Sequence, residues 1–290
     1  MRLLLGDCLE IMKTLPDASV DLFLCDLPYG CLTAPRAMNG PGWRKEVEQG
    51  KQKTLYRENK DACAWDIPID LTQFWIQVKR LMKDDHTPIL MFCNTKFGYE
   101  LIKSNEEWFR YDLVWSKMRG TSFLMANKMP MRSHENIYVF AKKGATYYRK
   151  DIEGVFPKSH SRGNTVVGNV NTYNGGRPLP LVDQPDNSTT RCVWSVIEVK
   201  GEGRTKGNHP TQKPEDLYAW LIERYSKEGD VVLDPTAGSF GSVFVAERMG
   251  RIGIGIEKDE RFYKKALSQI DDGGETTTQS RAFNSEDADA

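Results

Sequence analysis

Apolar residues recur along this chain at two alternating spacings. Short, mostly apolar runs at Arg2–Leu5, Val20–Cys25, Pro88–Phe92 and Gly229–Leu233 read as buried strands, and Arg251–Glu257 joins them by alternating glycine or arginine with isoleucine. Tyr111–Trp115 and Asn136–Phe140 read as two more. Leu9–Thr14, Leu71–Met82, Phe97–Ser104, Pro214–Ser226, Val243–Met249 and Asp259–Ile270 instead carry helical spacing. Strands that alternate with helices predict an α/β fold built on a doubly wound sheet. Two long segments, Cys31–Trp65 and Ala141–Asn208, interrupt this rhythm, and after residue 270 it stops.

The length of 290 residues and the 39% hydrophobic content suit one large α/β domain with insertions. No run approaches the ~18 apolar residues a membrane span needs, and the chain enters its first strand directly, so an intracellular, cytoplasmic location is expected. Six cysteines lack any Cys-x-x-Cys spacing, which points to neither zinc nor a disulfide framework. The net charge of zero hides an asymmetry: residues 271–290 hold six acids against Arg281, so the rest of the chain is +5. That tail is rich in Gly, Thr and Ser and reads as a disordered, solvated end.

Chemistry concentrates at two strand ends. Asp26-Leu27-Pro28-Tyr29-Gly30 follows the run ending at Cys25. Ligands bind open α/β sheets at such ends, because loops there are held by a rigid sheet. The Asp26 carboxylate can accept a hydrogen bond from an exocyclic amine, Pro28 fixes the backbone so that the Leu27 carbonyl can accept a second, and the Tyr29 ring can stack. Together these suit a flipped nucleobase. The alternative is a helix cap followed by an ordinary turn.

At the other strand end, Asp234-Pro235-Thr236-Ala237-Gly238-Ser239-Phe240-Gly241-Ser242 forms a small-residue loop before a helix. Gly238 and Gly241 allow close approach of a ligand to the backbone, and Glu257 ends the next strand about twenty residues on, where such folds bind a ribose diol. A nucleoside-containing cofactor is implied; the alternative is a purely structural β-turn-α unit. The loop has neither a Lys-Ser/Thr after its glycines nor a Gly-x-Gly-x-x-Gly order, which disfavours ATPases and dehydrogenases.

Both interruptions are basic. Residues 31–65 carry Arg36, Arg44, Lys45, Lys51, Lys53, Arg57 and Lys60 with Trp43 and Tyr56, and residues 141–208 carry eleven Lys or Arg, Arg162 and Arg177 among them, against six acids. The first is placed to close over a base or track phosphates, or else is a solvated surface loop. The second, with its Asn- and Gly-rich run at 168–176, reads as a target-recognition region.

These motifs, in this order, resemble those of the S-adenosylmethionine-dependent DNA amino-methyltransferases of the permuted, beta-group arrangement. There an Asp-Pro-Pro-Tyr-type motif precedes a Phe-x-Gly-x-Gly-type motif. Gly6-Asp7-Cys8 and His209-Pro210-Thr211-Gln212-Lys213-Pro214 agree with the same family. Leu27 stands where the family has Pro, and Ser239-Phe240-Gly241 alters its small-residue run.

The resemblance implies a Rossmann-like methyltransferase sheet of circularly permuted motif order, with residues 1–140 as catalytic half, 141–208 as target-recognition insertion and 209–270 as cofactor half. It implies S-adenosylmethionine as cofactor and double-stranded DNA as substrate, and it is compatible with a homodimer, a nucleoid association and a companion restriction endonuclease. Asp26, Leu27, Pro28 and Tyr29 would be catalytic. Asp7, Cys8, His209, Thr211, Gln212, Lys213, Asp234, Thr236, Ala237, Gly238, Ser239, Phe240, Gly241, Glu257 and Lys258 would hold the cofactor, Asp7 at its adenine, although Asp7 is equally an N-cap. Arg36, Arg44, Lys51, Lys53, Arg57, Arg162 and Arg177 would contact DNA.

The same resemblance associates an initial Asp in the tetrapeptide with adenine more often than with cytosine, which implies adenine N6 as the target, with cytosine N4 as the alternative and RNA a lesser one. A covalent Pro-Cys route is disfavoured, since no proline precedes a cysteine. A non-catalytic nucleic-acid-binding module would have lost Asp26, Tyr29 or the loop glycines, all of which are present. A small-molecule or protein methyltransferase would leave the tetrapeptide and the basic segments unexplained.

Overall fold

The computed structural model describes residues 1–30, 67–121, 123, 126–153, 190–201 and 212–271. In chain order their elements are β1 (Arg2–Leu5), α1 (Cys8–Lys13), β2 (Leu22–Cys25), α2 (Leu71–Leu81), β3 (Ile89–Cys93), α3 (Thr95–Ser104), β4 (Phe109–Thr121), β5 (Arg132–Phe140), β6 (Ile152–Glu153), β7 (Thr190–Arg191), β8 (Val196–Glu198), α4 (Glu215–Tyr225), β9 (Val231–Asp234), α5 (Gly241–Arg248), β10 (Ile252–Glu257) and α6 (Glu260–Asp271). Local chemistry sets the helix starts. Asp7 accepts from the Leu9 N–H to cap α1, Asp70 accepts from Thr72 and Gln73 to cap α2, and Asn94 caps α3.

Eight strands form one sheet in the order β1-β10-β9-β2-β3-β5-β4-β8. From β1 to β3 all neighbours are parallel, whereas β5 runs antiparallel to both β3 and β4. Side chains along β2 and β3 point alternately to two faces, and both faces are covered, which is why every residue of these strands is buried. On one face Met12, Phe74, Val78 and Leu101 from α1–α3 meet Phe23, Cys25, Ile89 and Met91. On the other, Leu217, Leu221 and Val245 from α4 and α5 meet Leu22, Leu24, Leu90 and Phe92. Fully burying side chains such as Phe23 or Phe74 stabilises the fold by roughly 1.5–3 kcal/mol each. The doubly wound sheet predicted from the sequence is therefore present.

The alternating glycines of β10 have a packing reason. A Cβ on Gly255 would lie 2.6 Å from the Phe240 and Val243 side chains, and one on Gly253 would lie 2.8 Å from the Val243 carbonyl oxygen. Their absence lets the start of α5 lie directly on the sheet. The loop between β9 and α5 is thereby brought over the strand ends.

The first and last strands of the chain are neighbours. Leu5 is in register with Glu257, and the Gly6 N–H donates to the Glu257 carbonyl at 2.9 Å. Asp7 thus lies beside the Glu257 strand end, as the permuted order implies.

Three differences from the sequence reading have physical causes. Strands β4 and β5 run past the expected Tyr111–Trp115 and Asn136–Phe140, because backbone pairing continues into a stretch of exposed, polar and basic positions that carries no apolar alternation. The strand expected from Val20 begins at Leu22, since Val20 makes only an isolated bridge to Met82. Strand β8 lies inside the segment read as an insertion; with Ile197 its one buried residue, a three-residue edge strand leaves almost no pattern. The compact second unit is accordingly Arg149–Trp194, and within it Ile152–Glu153 pairs antiparallel with Thr190–Arg191. Among the described residues no helix is long and apolar enough to cross a membrane.

Candidate active site

The C-terminal ends of β1, β10, β9 and β2 open into a cavity of about 550 Å³. Its lining joins Asp7 and Cys8, the tetrapeptide Asp26 to Tyr29, the loop Pro235 to Ser239, and Glu257 to Asp259. Strands β10 and β2 are two positions apart in the sheet, so their ends are separated by about 10 Å. The two motifs share one cavity.

At the β2 end, Asp26 is surrounded by donors. The Tyr29 hydroxyl donates to Oδ1 at 2.8 Å and the Lys213 ammonium donates to Oδ2 at 2.5 Å. The Tyr29 ring stacks on Phe97, with centroids 5.0 Å apart and planes 25° from parallel. Burial, and then the neighbouring Asp26 charge, push the Tyr29 hydroxyl well above the ordinary phenol range, so it remains a donor. Lys213 is 4% exposed and lies 3.6 Å from Glu135 Oε2, while Glu135 Oε1 is paired with Lys117. Burial pulls Lys213 down, but the Asp26 and Glu135 carboxylates outweigh it and hold the ammonium above its usual range.

The β9 and β10 end is held mainly by backbone donors. Glu257 accepts from the Gly238 N–H at 2.8 Å and from the Asp259 N–H at 2.7 Å, and Gly238 takes a φ of 53° that favours glycine. Asp234 is 3% exposed and accepts from the Thr236 N–H and the Ser242 hydroxyl. Burial raises its pKa from 3.8 to about 7, against the lowering effect of those two donors. One cavity residue, Thr236, carries a buried side-chain oxygen with no hydrogen-bond partner, whereas Glu135 Oε2 is ion-paired with Lys213 at 3.6 Å. The orphaned Thr236 hydroxyl fits a polar ligand at the loop end of the cavity.

The sequence model of the DNA methylase family N6_N4_Mtase matches residues 20–268. The chain belongs to this family.

Within it, the chain is 28% identical over 271 residues to the DNA adenine methyltransferase YhdJ of Escherichia coli (strain K12), covering 92% of this chain and 81% of YhdJ. It is 27% identical over 279 residues to the type II methyltransferase M.HinfI of Haemophilus influenzae, covering 92% and 67%. Of solved structures, the cytosine-N4-specific PvuII DNA methyltransferase aligns with a TM-score of 0.58 at 13% identity, over 94% of this chain and 87% of that one. An M1.HpyAVI–SAM complex aligns with a TM-score of 0.53 at 18% identity, over 93% and 98%. These two structural likenesses concern the fold alone.

Not every expected residue of this DNA methylase lines the cavity. Asp7, Cys8, Gln212, Lys213, Thr236, Ala237, Gly238, Ser239, Glu257 and Lys258 do. Asp7 also caps α1 and pairs with Lys258 at 3.1 Å, so one carboxylate serves several partners. Asp234 lies beneath the loop as its anchor. Phe240 is fully buried against Tyr263, and Gly241 begins α5, so both shape the loop from behind. Lys213, expected with the cofactor set, instead contacts the tetrapeptide. His209 and Thr211, and the basic residues Arg36, Arg44, Lys51, Lys53, Arg57, Arg162 and Arg177, lie outside the described residues.

Glu135, Tyr218 and Ile67 to Asp70 line the cavity without having been singled out from the sequence. Glu135 lies one residue before the expected strand Asn136–Phe140, in the stretch where β5 has lost apolar alternation. An acid flanked by His134 and Asn136 at a strand's open end was the available signal.

Proposed function

We propose that the chain transfers a methyl group from S-adenosylmethionine to the exocyclic N6 amine of adenine in DNA. The observation that carries this reading is the single cavity that unites the Asp26–Tyr29 tetrapeptide with the Gly238 loop and Glu257. Adenine is favoured by the initial Asp of the tetrapeptide and by the likeness to YhdJ, a relative named as a DNA adenine methyltransferase.

When bound, S-adenosylmethionine supplies a methyl carbon on a sulfonium that leaves as a neutral thioether. Glu257 and Asp7 would hold its nucleoside, with the Gly238 loop approaching it by backbone. The orphaned Thr236 hydroxyl provides a further donor and acceptor. At the other end of the cavity, Asp26 and the Leu27 carbonyl would accept the two N–H bonds of the amine. An amine conjugated with its ring is a poor nucleophile, and accepting both N–H bonds favours the tetrahedral nitrogen whose lone pair is free to attack. The side chain of Leu27 is buried and Pro28 restricts the turn, so that carbonyl is held in place.

Each carboxylate oxygen carries two lone pairs, so Asp26 can accept from the amine while bonded to Tyr29 and Lys213. After transfer the nitrogen must lose a proton, and Asp26 is the acceptor beside it. Tyr29, backed by Phe97, would stack on the flipped base. Catalysis on this reading is positioning and electrostatics. The basic segments 31–65 and 141–208 would supply phosphate contacts and target recognition, making DNA affinity fall with added salt.

The test is to express the chain in a host without DNA methylation and read modified bases from its native DNA. N6-methyladenine confined to one short sequence is the expected result. N4-methylcytosine would correct the base, and unmodified DNA from a folded, expressed protein would overturn the reading.

A further inference from the structure

Lys213 is the most deeply buried cation in the cavity wall, and both of its ion-pair partners lie at the amine end. Its ammonium is 2.5 Å from Asp26 Oδ2, 3.6 Å from Glu135 Oε2 and 5.0 Å from the centroid of the Phe92 ring. Its side chain is 4% exposed, against 20% for Asp26 and 18% for Glu135. Two carboxylates from different strands therefore converge on one ammonium at a nearly dry site. Glu135 has its other oxygen on Lys117, so the chain of charges runs Asp26, Lys213, Glu135, Lys117 and sums to zero.

A buried charge is tolerated only when paired, and two like charges at one site repel strongly in a medium that screens them poorly. Without Lys213, Asp26 and Glu135 would face each other with no cation between them. One would turn away or take up a proton. Either response spoils Asp26 as a fixed acceptor for an amine.

We propose that Lys213 is a positioning residue for the transfer step, holding the Asp26 carboxylate toward the amine by separating it from Glu135. This rests on the methyltransferase reading above and adds that Lys213 acts at the amine end of the cavity. Glu135 is the counter-ion that keeps Lys213 charged, through the same ammonium.

The test uses the full chain in three variants, Lys213→Met, Glu135→Gln and the double variant. Single-turnover methyl transfer is measured at saturating cofactor, and S-adenosylmethionine affinity by calorimetry. Lys213→Met is expected to lower the transfer rate by ~100-fold or more while cofactor Kd changes less than about threefold, the signature of an interaction made at the reacting end. Glu135→Gln in the Lys213→Met background is expected to restore the rate at least tenfold, because the second carboxylate is gone. A purely structural lysine would show its loss and rescue in cofactor Kd and melting temperature as well, whereas a positioning lysine shows them in the transfer rate at a nearly constant Kd. No rescue, or a Kd loss with an unchanged saturated rate, overturns the proposal.

Should Lys213→Met fail to fold, the double variant is compared with Glu135→Gln alone. A rate within about tenfold supports the proposal, and any larger gap overturns it. Failure of the unsubstituted chain to methylate DNA in the same assay would sink the functional reading instead, so the two failures are distinct.

Discussion

Glu135, half-buried on β5, and Asp234, buried at the end of β9, are carboxylates of the same sheet, yet their surroundings drive them in opposite directions. Burial pushes Glu135 up, but the ammonium groups of Lys213 and Lys117 outweigh it and lower its pKa below the ordinary value. Asp234 is held by the Ser242 hydroxyl and the Thr236 N–H, which are neutral, and burial raises it to about 7. The amine end is thus built from matched charges, and the loop end from hydrogen bonds to the backbone. A reaction that needs a fixed anionic acceptor is served by the first arrangement. A loop that must keep one shape around a ligand is served by the second, since neutral donors cost less to bury than an unpaired ion.

The largest expected effect breaks this comparison at the amine end. Asp26→Ala should reduce methyl transfer on the order of 10³-fold while cofactor affinity stays nearly unchanged, because it removes an acceptor that matters most in the transition state. Single-turnover transfer of labelled methyl to duplex DNA measures it. Substantial transfer by this variant would remove Asp26 from the chemistry.

Glu257→Ala acts at the opposite end and should have the opposite signature. It removes the carboxylate that would accept the two ribose hydroxyls, at about 1.5 kcal/mol for each bond, and also the bonds that hold the Gly238 loop, so cofactor affinity should fall ~100-fold. Calorimetric titration with S-adenosylmethionine decides the matter; unchanged affinity would show that the β10 end does not hold the nucleoside.

The two ends also differ in how much of each the sequence revealed. The loop end was legible because its chemistry is local: the run Asp234 to Gly241 is contiguous, and Glu257 follows at a spacing fixed by one helix and one strand. At the amine end only Asp26 to Tyr29 could be read. Glu135 lies more than a hundred residues along the chain and Lys213 still farther, and their meeting depends on β5 running antiparallel beside β3 and on the segment leading into α4. The existence of β1, β2, β3, β9 and β10 followed from periodicity but their order in the sheet did not, and β8, with a single buried residue, had no pattern to find. Lys213 was visible within His209 to Pro214, but sequence alone could not say which end of the cavity it served.

Asp234→Asn sharpens the contrast through pH. A carboxyl whose folded pKa is near 7 keeps its proton in the folded state between about pH 4 and 7, where the unfolded chain, at 3.8, has released it. The unfolded state then binds fewer protons, so this residue's contribution to stability falls as pH rises through that window and levels off above it. Asn has no such proton. The stability of Asp234→Asn relative to the unsubstituted chain, read from melting temperatures, should therefore rise by about 3 kcal/mol between pH 5 and pH 8, because imperfect replacement of the two hydrogen bonds lowers the variant equally at every pH. A pH-independent difference would show that Asp234 is ionised throughout.

The smallest expected effect separates the two tasks of Tyr29. Stacking alone would make the hydroxyl dispensable, but that hydroxyl donates to Asp26 at 2.8 Å while the ring stacks on Phe97. Tyr29→Phe keeps the ring and its support and removes only the donor. It should slow transfer by about fivefold, the equivalent of ~1 kcal/mol for one hydrogen bond that orients the Asp26 carboxylate, with the cofactor constant unchanged. Tyr29→Ala also loses the ring, leaves a void beside Phe97 and should fall by ~100-fold, since base stacking is worth roughly 1–3 kcal/mol. Single-turnover rates for the pair give the answer directly. Equal losses would mean that the hydroxyl carries the whole role of Tyr29, and an unaffected Tyr29→Phe would mean that Lys213 alone fixes Asp26.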